Sequence, residues 1–188
     1  MIAFAMLLIA GVPDASDPTY VRAARLARAV DLYETACLRT FPDDQALDAL
    51  MAARGATPLS DADVKVTLLD DPGRAWQVGE GAERLLVFLE LPPYHACSVR
   101  FTMPDAQYDL RSYRDVERRY IGDATFTDVE PLEADQGDLH LHLVGKQRSV
   151  AGGTETLMIV DQHITDIARR KAGETGVPLR FVRQIKAD

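Results

Sequence analysis

Cysteine occurs twice, tryptophan once and histidine four times in 188 residues, and 21 Lys and Arg face 29 Asp and Glu. So few thiols exclude a cysteine-dense secreted scaffold or an all-cysteine zinc module. A formal charge of −8 and a pI near 5.0 oppose a nucleic-acid role, because phosphate binding needs a net basic surface. No apolar run reaches the roughly 20 residues of a membrane-spanning helix, so no stable membrane span is expected. There is no repeat of solenoid period and no low-complexity segment. Asp61, Asp63, Asp70 and Asp71 lack the glycine and terminal Glu of a calcium-binding EF-hand loop and read as turn and cap residues. What is present is ordinary: 47% hydrophobic and 27% charged residues, enough for one globular domain with a real core.

The apolar run Met1 to Val12 has the length of a secretory signal's hydrophobic region. No Lys or Arg precedes Arg22, Gly11 to Ser16 holds no clean A-x-A site, and no Cys follows to carry a lipid. Residues 1–15 are read as a signal-like segment before a single domain over 16–188, which places the protein in the periplasm or outside the cell. A buried N-terminal strand or helix is the alternative, and it would make the protein cytoplasmic.

Asp17-Pro18 has the form of an N-cap followed by proline at the first helical position. Leu26, Val30, Tyr33 and Cys37 then share one helical face, and Phe41-Pro42 ends the helix. Asp43 caps a second helix with Leu47, Leu50 and Met51, stopped by Gly55. Val64 to Leu68 reads as a weak strand or a turn. Strands are expected at Arg74 to Val78, Leu85 to Leu91 and Ala96 to Phe101, and a third helix from about Asp109 with Leu110, Tyr113, Val116, Tyr120 and Ile121 on one side. Strands resume at Thr125 to Val129, Leu139 to Val144, Thr156 to Ile164 and Leu179 to Ile185. The order predicts an α+β fold: an antiparallel sheet with N-terminal helices and one inserted helix packed against it.

Four groups of residues carry possible chemistry. Cys37 and Cys97 can form a disulfide tying the first helix to the sheet, closing a loop of roughly 60 residues for about 4 kcal/mol of chain entropy. The rival is a Cys97 nucleophile beside His95, which share a strand face but have no orienting Asn or Asp at a recognisable spacing. Ser98 lacks the G-x-S-x-G elbow of a hydrolase. His140 and His142 alternate with Leu139, Leu141 and Leu143, so both imidazoles share one face. If Gly152-Gly153 is a two-residue hairpin loop, His142 opposes His163, with Asp161 on the same face. A slip of two residues would oppose His140 to His163 instead. The leucines, joined by Met158, Val160 and Ile164, then read as the core. Three imidazoles and a carboxylate suit Zn, Cu or Ni; the alternative is a solvated face without a metal or other cofactor. Arg111, Arg114 and Arg118 share a face of the third helix and could hold an anion, but interleaved Asp115 and Glu117 favour salt bridges. The acidic residues Asp128, Glu130, Glu133 and Asp135 read as solvation of strand edges and loops.

Cys-Leu-Arg-Thr-Phe-Pro-Asp (37–43), Trp76 and Leu-Pro-Pro-Tyr-His-Ala-Cys-Ser-Val-Arg (91–100), in that order, resemble small uncharacterised exported proteins of Gram-negative bacteria. The likeness is good over about the first hundred residues and loose after them. It implies a periplasmic single domain with a disulfide, and no activity or substrate. The expected function is a periplasmic module, not an enzyme, that binds an unknown protein or a small ligand. Metal binding at His140, His142, Asp161 and His163 is the second expectation, and hydrolysis using His95 with Cys97 or Ser98 the third.

Overall fold

The structure is a computed structural model that describes residues 17–187. The signal-like segment lies outside the described residues. Helix α1 spans Pro18–Tyr33, and the Asp17 side chain caps it by accepting from the Thr19 amide at 2.7 Å. Its inward face is Leu26, Ala29, Val30, Leu32 and Tyr33. The expected single helix does not run on unchanged to Phe41. From Glu34 to Thr40 it widens into a π-helical turn that buries Ala36, Cys37 and Leu38. Five-residue spacings hold this turn: the Phe41 amide donates to Ala36 O at 2.9 Å and the Thr40 hydroxyl to Thr35 O at 2.9 Å. Its last carbonyls would be orphaned, and the buried Arg183 guanidinium donates to those of Cys37, Leu38 and Phe41.

Helix α2 (Asp44–Ala53) starts at the expected Asp43 cap, which accepts from the Ala46 amide at 2.9 Å, and buries Leu47 and Met51. After the two-residue strand β1 (Thr57–Pro58) comes helix α3 (Asp61–Thr67), where a weak strand or turn was expected. Ser60 caps it, Asp61 and Asp63 occupy its first turn, and Val64 and Leu68, four apart, bury one stripe. Apolar alternation over five residues was thus outweighed by a capped helical turn.

The strands are β2 (Gly73–Val78), β3 (Leu85–Glu90), β4 (Ala96–Met103), β5 (Thr127–Gln136), β6 (Leu139–Val150), β7 (Gly153–Ile164) and β8 (Val177–Ala187). Helix α4 (Arg111–Ile121) joins β4 to β5, and the short α5 (Ile167–Lys171) joins β7 to β8. All neighbours pair antiparallel in the order β1-β2-β3-β4-β8-β7-β6-β5. Two meanders therefore meet at β4 and β8, with α4 crossing between them. This is the α+β architecture expected from the sequence. Among the described residues, no helix is long and apolar enough to cross a membrane.

One sheet face carries α1, the π-helical turn, α2 and α4. It buries Cys97, Val99, Phe101 and Met103 of β4, Leu157 and Ile159 of β7, and Val177, Leu179 and Phe181 of β8. The rings of Tyr33 and Tyr113 pack on Phe181 with centroids 5.7 and 4.6 Å away. Helix α3 covers the reverse face only over β2 and β3, where Val64 and Leu68 meet Ala75 and Phe88. The edge strand β5 carries the acidic run, and its pairing shifts between Val129 and Leu132, at Glu130-Pro131.

Two expectations about β6 and β7 are corrected. The hairpin loop is Ala151-Gly152, not Gly152-Gly153, because Val150 pairs with Gly153. Gly152 takes the left-handed φ of 75° that the turn needs. Gly153 lies in the strand, where an added Cβ would meet the Lys186 carbonyl oxygen of β8 at 2.1 Å. His140 therefore opposes His163, and His142 opposes Asp161. The second correction concerns the core. Leu157 and Ile159, not Met158 and Val160, point into the helical layer, so the histidines share the helix side while Leu139, Leu141 and Leu143 lie half-buried on the reverse face. The Leu-His alternation fixes which residues share a face, but it cannot say which face the helices cover.

Candidate functional site

Cys37 and Cys97 are joined, with Cα atoms 5.3 Å apart and neither residue exposed. No thiolate remains to act as a nucleophile, and free cysteine is absent among the described residues. His95 serves the architecture instead. Its Nε2 lies 2.9 Å from Asp44 Oδ1 at the start of α2, and its ring packs edge-on against Phe41 at 4.6 Å. Ser98 is buried on the reverse face and accepts from Arg100 Nε at 3.1 Å.

His140, His142, Asp161 and His163 do share one face, joined there by Glu133, Asp135 and Tyr108. His140 lies between two carboxylates, Nδ1 at 2.8 Å from Asp135 and Nε2 at 2.8 Å from Glu133. Those two hydrogen bonds, Asp135's first, raise its pKa above the usual imidazole value. His142 stands 3.2 Å from Asp161 through Nδ1 and 3.6 Å from Glu133 through Nε2, and His163 Nε2 lies 3.6 Å from Asp161. The Tyr108 hydroxyl donates to Asp161 Oδ2 at 2.8 Å. Burial and that bond to a carboxylate push the Tyr108 phenol well above its usual range. The result is a chain of paired groups, not a shared centre. Among the described residues, no group of three or more His, Cys, Asp or Glu side chains is arranged to hold a metal ion.

Each arginine of the expected anion-binding row takes a carboxylate. Arg111 pairs with Asp109, Arg114 with Glu117, and Arg118 with Asp115. The groove of about 930 Å³ between α1 and α4 is lined in part by Arg22 and Arg111, and Arg22 is also paired, with Asp105 at 3.0 Å. Its cations are already neutralised.

A smaller notch of about 500 Å³ differs in that respect. It lies where β3 begins short of the ends of β4 and β8. Arg25, Arg84, Arg100 and Arg180 all line it, with Leu86 and Phe88 among its apolar residues. Arg100 of β4 and Arg180 of β8 are direct cross-strand partners, a like-charge arrangement that is destabilising on its own. None of the ion pairs among the described residues involves any of the four, whereas most other arginines have one. Their hydrogen bonds go to neutral groups: Arg100 to Ser98, Arg180 to Gln162 Oε1 at 3.3 Å, and Arg25 to the Arg84 carbonyl at 3.4 Å. Arg25 Nε is buried without any acceptor. The Arg100 guanidinium lies over the Phe88 ring, 4.1 Å from its centroid, which fixes its plane. Burial, then the charge of Arg180, lowers the Arg100 pKa to about 10, and burial also lowers that of Arg180. Both remain cations at neutral pH, held in a poor environment for cations.

The sequence did contain a signal for this notch. Val99-Arg100-Phe101 and Leu179-Arg180-Phe181 each set an arginine between two apolar neighbours of a strand. Nothing local says that the two strands are neighbours, or that Arg25 and Arg84 join them. Comparison with known protein families, with curated proteins and with solved structures returns no match.

Proposed function

We propose that the protein is a non-enzymatic, disulfide-stabilised extracytoplasmic domain that binds a small ligand in the notch between β3, β4 and β8. The observation that carries this reading is a concave site of about 500 Å³ where partly buried arginines have neutral partners only. That volume falls in the usual range for small-molecule sites, and the lining sets apolar side chains beside charged ones that can orient a ligand. The disulfide and the apolar run at residues 1–12 support an oxidising compartment. The larger α1–α4 groove is the weaker candidate, because a ligand there would have to displace existing ion pairs.

The test is a ¹⁵N-amide chemical-shift screen with a mixed library of neutral and charged fragments. Binding fragments are expected to perturb the amides of Leu86, Arg100 and Arg180 together and saturably. Shifts confined to the α1–α4 groove, or no saturable shift in the notch, would refute the reading.

A further inference from the structure

Resting on that reading, we infer that the notch selects an organic oxyanion: a carboxylate or phosphate ester whose charged group sits between Arg100 and Arg180 and whose apolar body lies along Leu86. Charge is the first argument. Two arginines placed opposite each other across paired strands repel, and an anion between them turns repulsion into two charge-assisted hydrogen-bonded pairs. The protein as a whole is acidic, with a formal charge of −8, so carboxylates were available to neutralise them. The chain places them elsewhere. Glu90, on the same face of β3 two residues beyond Phe88, influences Arg100 but makes no ion pair with it.

Geometry is the second argument. Phe88 stacks on Arg100 and Ser98 accepts from its Nε, so the plane of the guanidinium is set before a ligand arrives. A planar guanidinium held this way leaves its remaining donors for a carboxylate or phosphate edge. Arg180 is steadied similarly by Gln162. Such preorganisation reduces the ordering cost of binding. Size and lining supply the third argument. A site of about 500 Å³ is far larger than an inorganic anion, and Leu86 offers apolar surface that such an ion would leave wet.

Four probes in a titration followed by calorimetry and thermal melting test this: benzoate, its neutral counterpart benzamide, phenyl phosphate and inorganic phosphate. Benzoate or phenyl phosphate is expected to bind saturably and raise the melting temperature, with benzamide and inorganic phosphate at least tenfold weaker. Arg100→Gln and Arg180→Gln should each weaken the anion at least tenfold, while Arg180→Lys should weaken it less. Without ligand, Arg180→Gln should melt no lower than the wild type, because a repelling charge has been removed; a purely structural arginine would lower it. Should Arg100→Gln fail to fold, the Arg180 pair of variants still decides. Benzamide binding as well as benzoate would overturn the anion class while leaving ligand binding in place. Inorganic phosphate matching phenyl phosphate would overturn the apolar body. No binding by any probe would overturn the oxyanion class, and the amide screen with its wider library would then judge the notch itself.

Discussion

Arg183→Met should be the most damaging single change to the helix–sheet joint. Arg183 is 8% exposed and Glu155 is 1% exposed, and the guanidinium Nε donates to Glu155 at 2.6 Å. Glu155 also accepts from Arg148 Nε and from the Tyr120 hydroxyl, each at 2.5 Å. Burial pushes the Glu155 carboxyl up, but the Tyr120 bond, the charge of Arg183 and the arginine hydrogen bonds together hold it below the usual value. The methionine variant removes one of the two arginine partners of Glu155 and also strands the carbonyls of Cys37, Leu38 and Phe41. Removing one member of a buried pair costs about 3–5 kcal/mol. For a domain of this size, at about 2–4 °C per kcal/mol, the melting temperature should fall by roughly 6–20 °C. Scanning calorimetry of Arg183→Met, Glu155→Leu and the double variant checks both magnitude and coupling. The double variant should lose less than the sum of the singles, since the Arg183–Glu155 bond, lost in each single variant, is lost only once. A single variant melting within about 2 °C of wild type would refute the pinning role, and strict additivity would refute the pairing.

Two further outcomes follow from the same framework. The double variant Cys37→Ala/Cys97→Ala reopens a 60-residue loop, which should cost about 4 kcal/mol and roughly 8–16 °C in melting temperature, and the untreated native protein should take up no alkylating reagent; a shift under about 3 °C, or modification of Cys97 in native protein, would sink the clamp. His140 has a folded-state pKa raised above the usual 6.5, so its stabilisation is complete below about pH 6.5 and disappears as pH rises through the raised value. Melting curves of wild type and His140→Gln should therefore converge on the alkaline side of that window, and parallel curves from pH 5.5 to 9 would contradict the assignment.

Much of the architecture was legible because local signals agreed with the global fold. The Asp17, Asp43 and Ser60 positions show what a capping residue can specify: two were expected from the sequence, while Ser60 was hidden by the apolar alternation after it. The two cysteines allowed either a disulfide or a Cys97 nucleophile beside His95, and the fold decides for the bond by packing the π-helical turn on β4. The π-helical turn was not legible, because the group that takes its last carbonyls, Arg183, lies 146 residues from Cys37. Likewise, the hairpin register turned on Gly153, whose close contact is with β8 and not with its own hairpin partner. A register slip of two preserves parity, which is why the histidine cluster formed although its opposing pairs changed.

Sidedness explains why the candidate site moved. Pattern reasoning concentrates attention on unusual residue types, and histidine is scarce here, whereas arginine is common and reads as surface. Only the strand order, with β8 inserted between β4 and β7, makes Arg100 and Arg180 opposite partners. Charges elsewhere in this fold are paired: buried Glu155 has its donors, and the arginines of α4 have their carboxylates. A like-charge pair left with neutral partners therefore departs from the pairing that most other arginines among the described residues have. Functional sites are where such exceptions are expected, because a group already neutralised has no interaction left to offer a ligand.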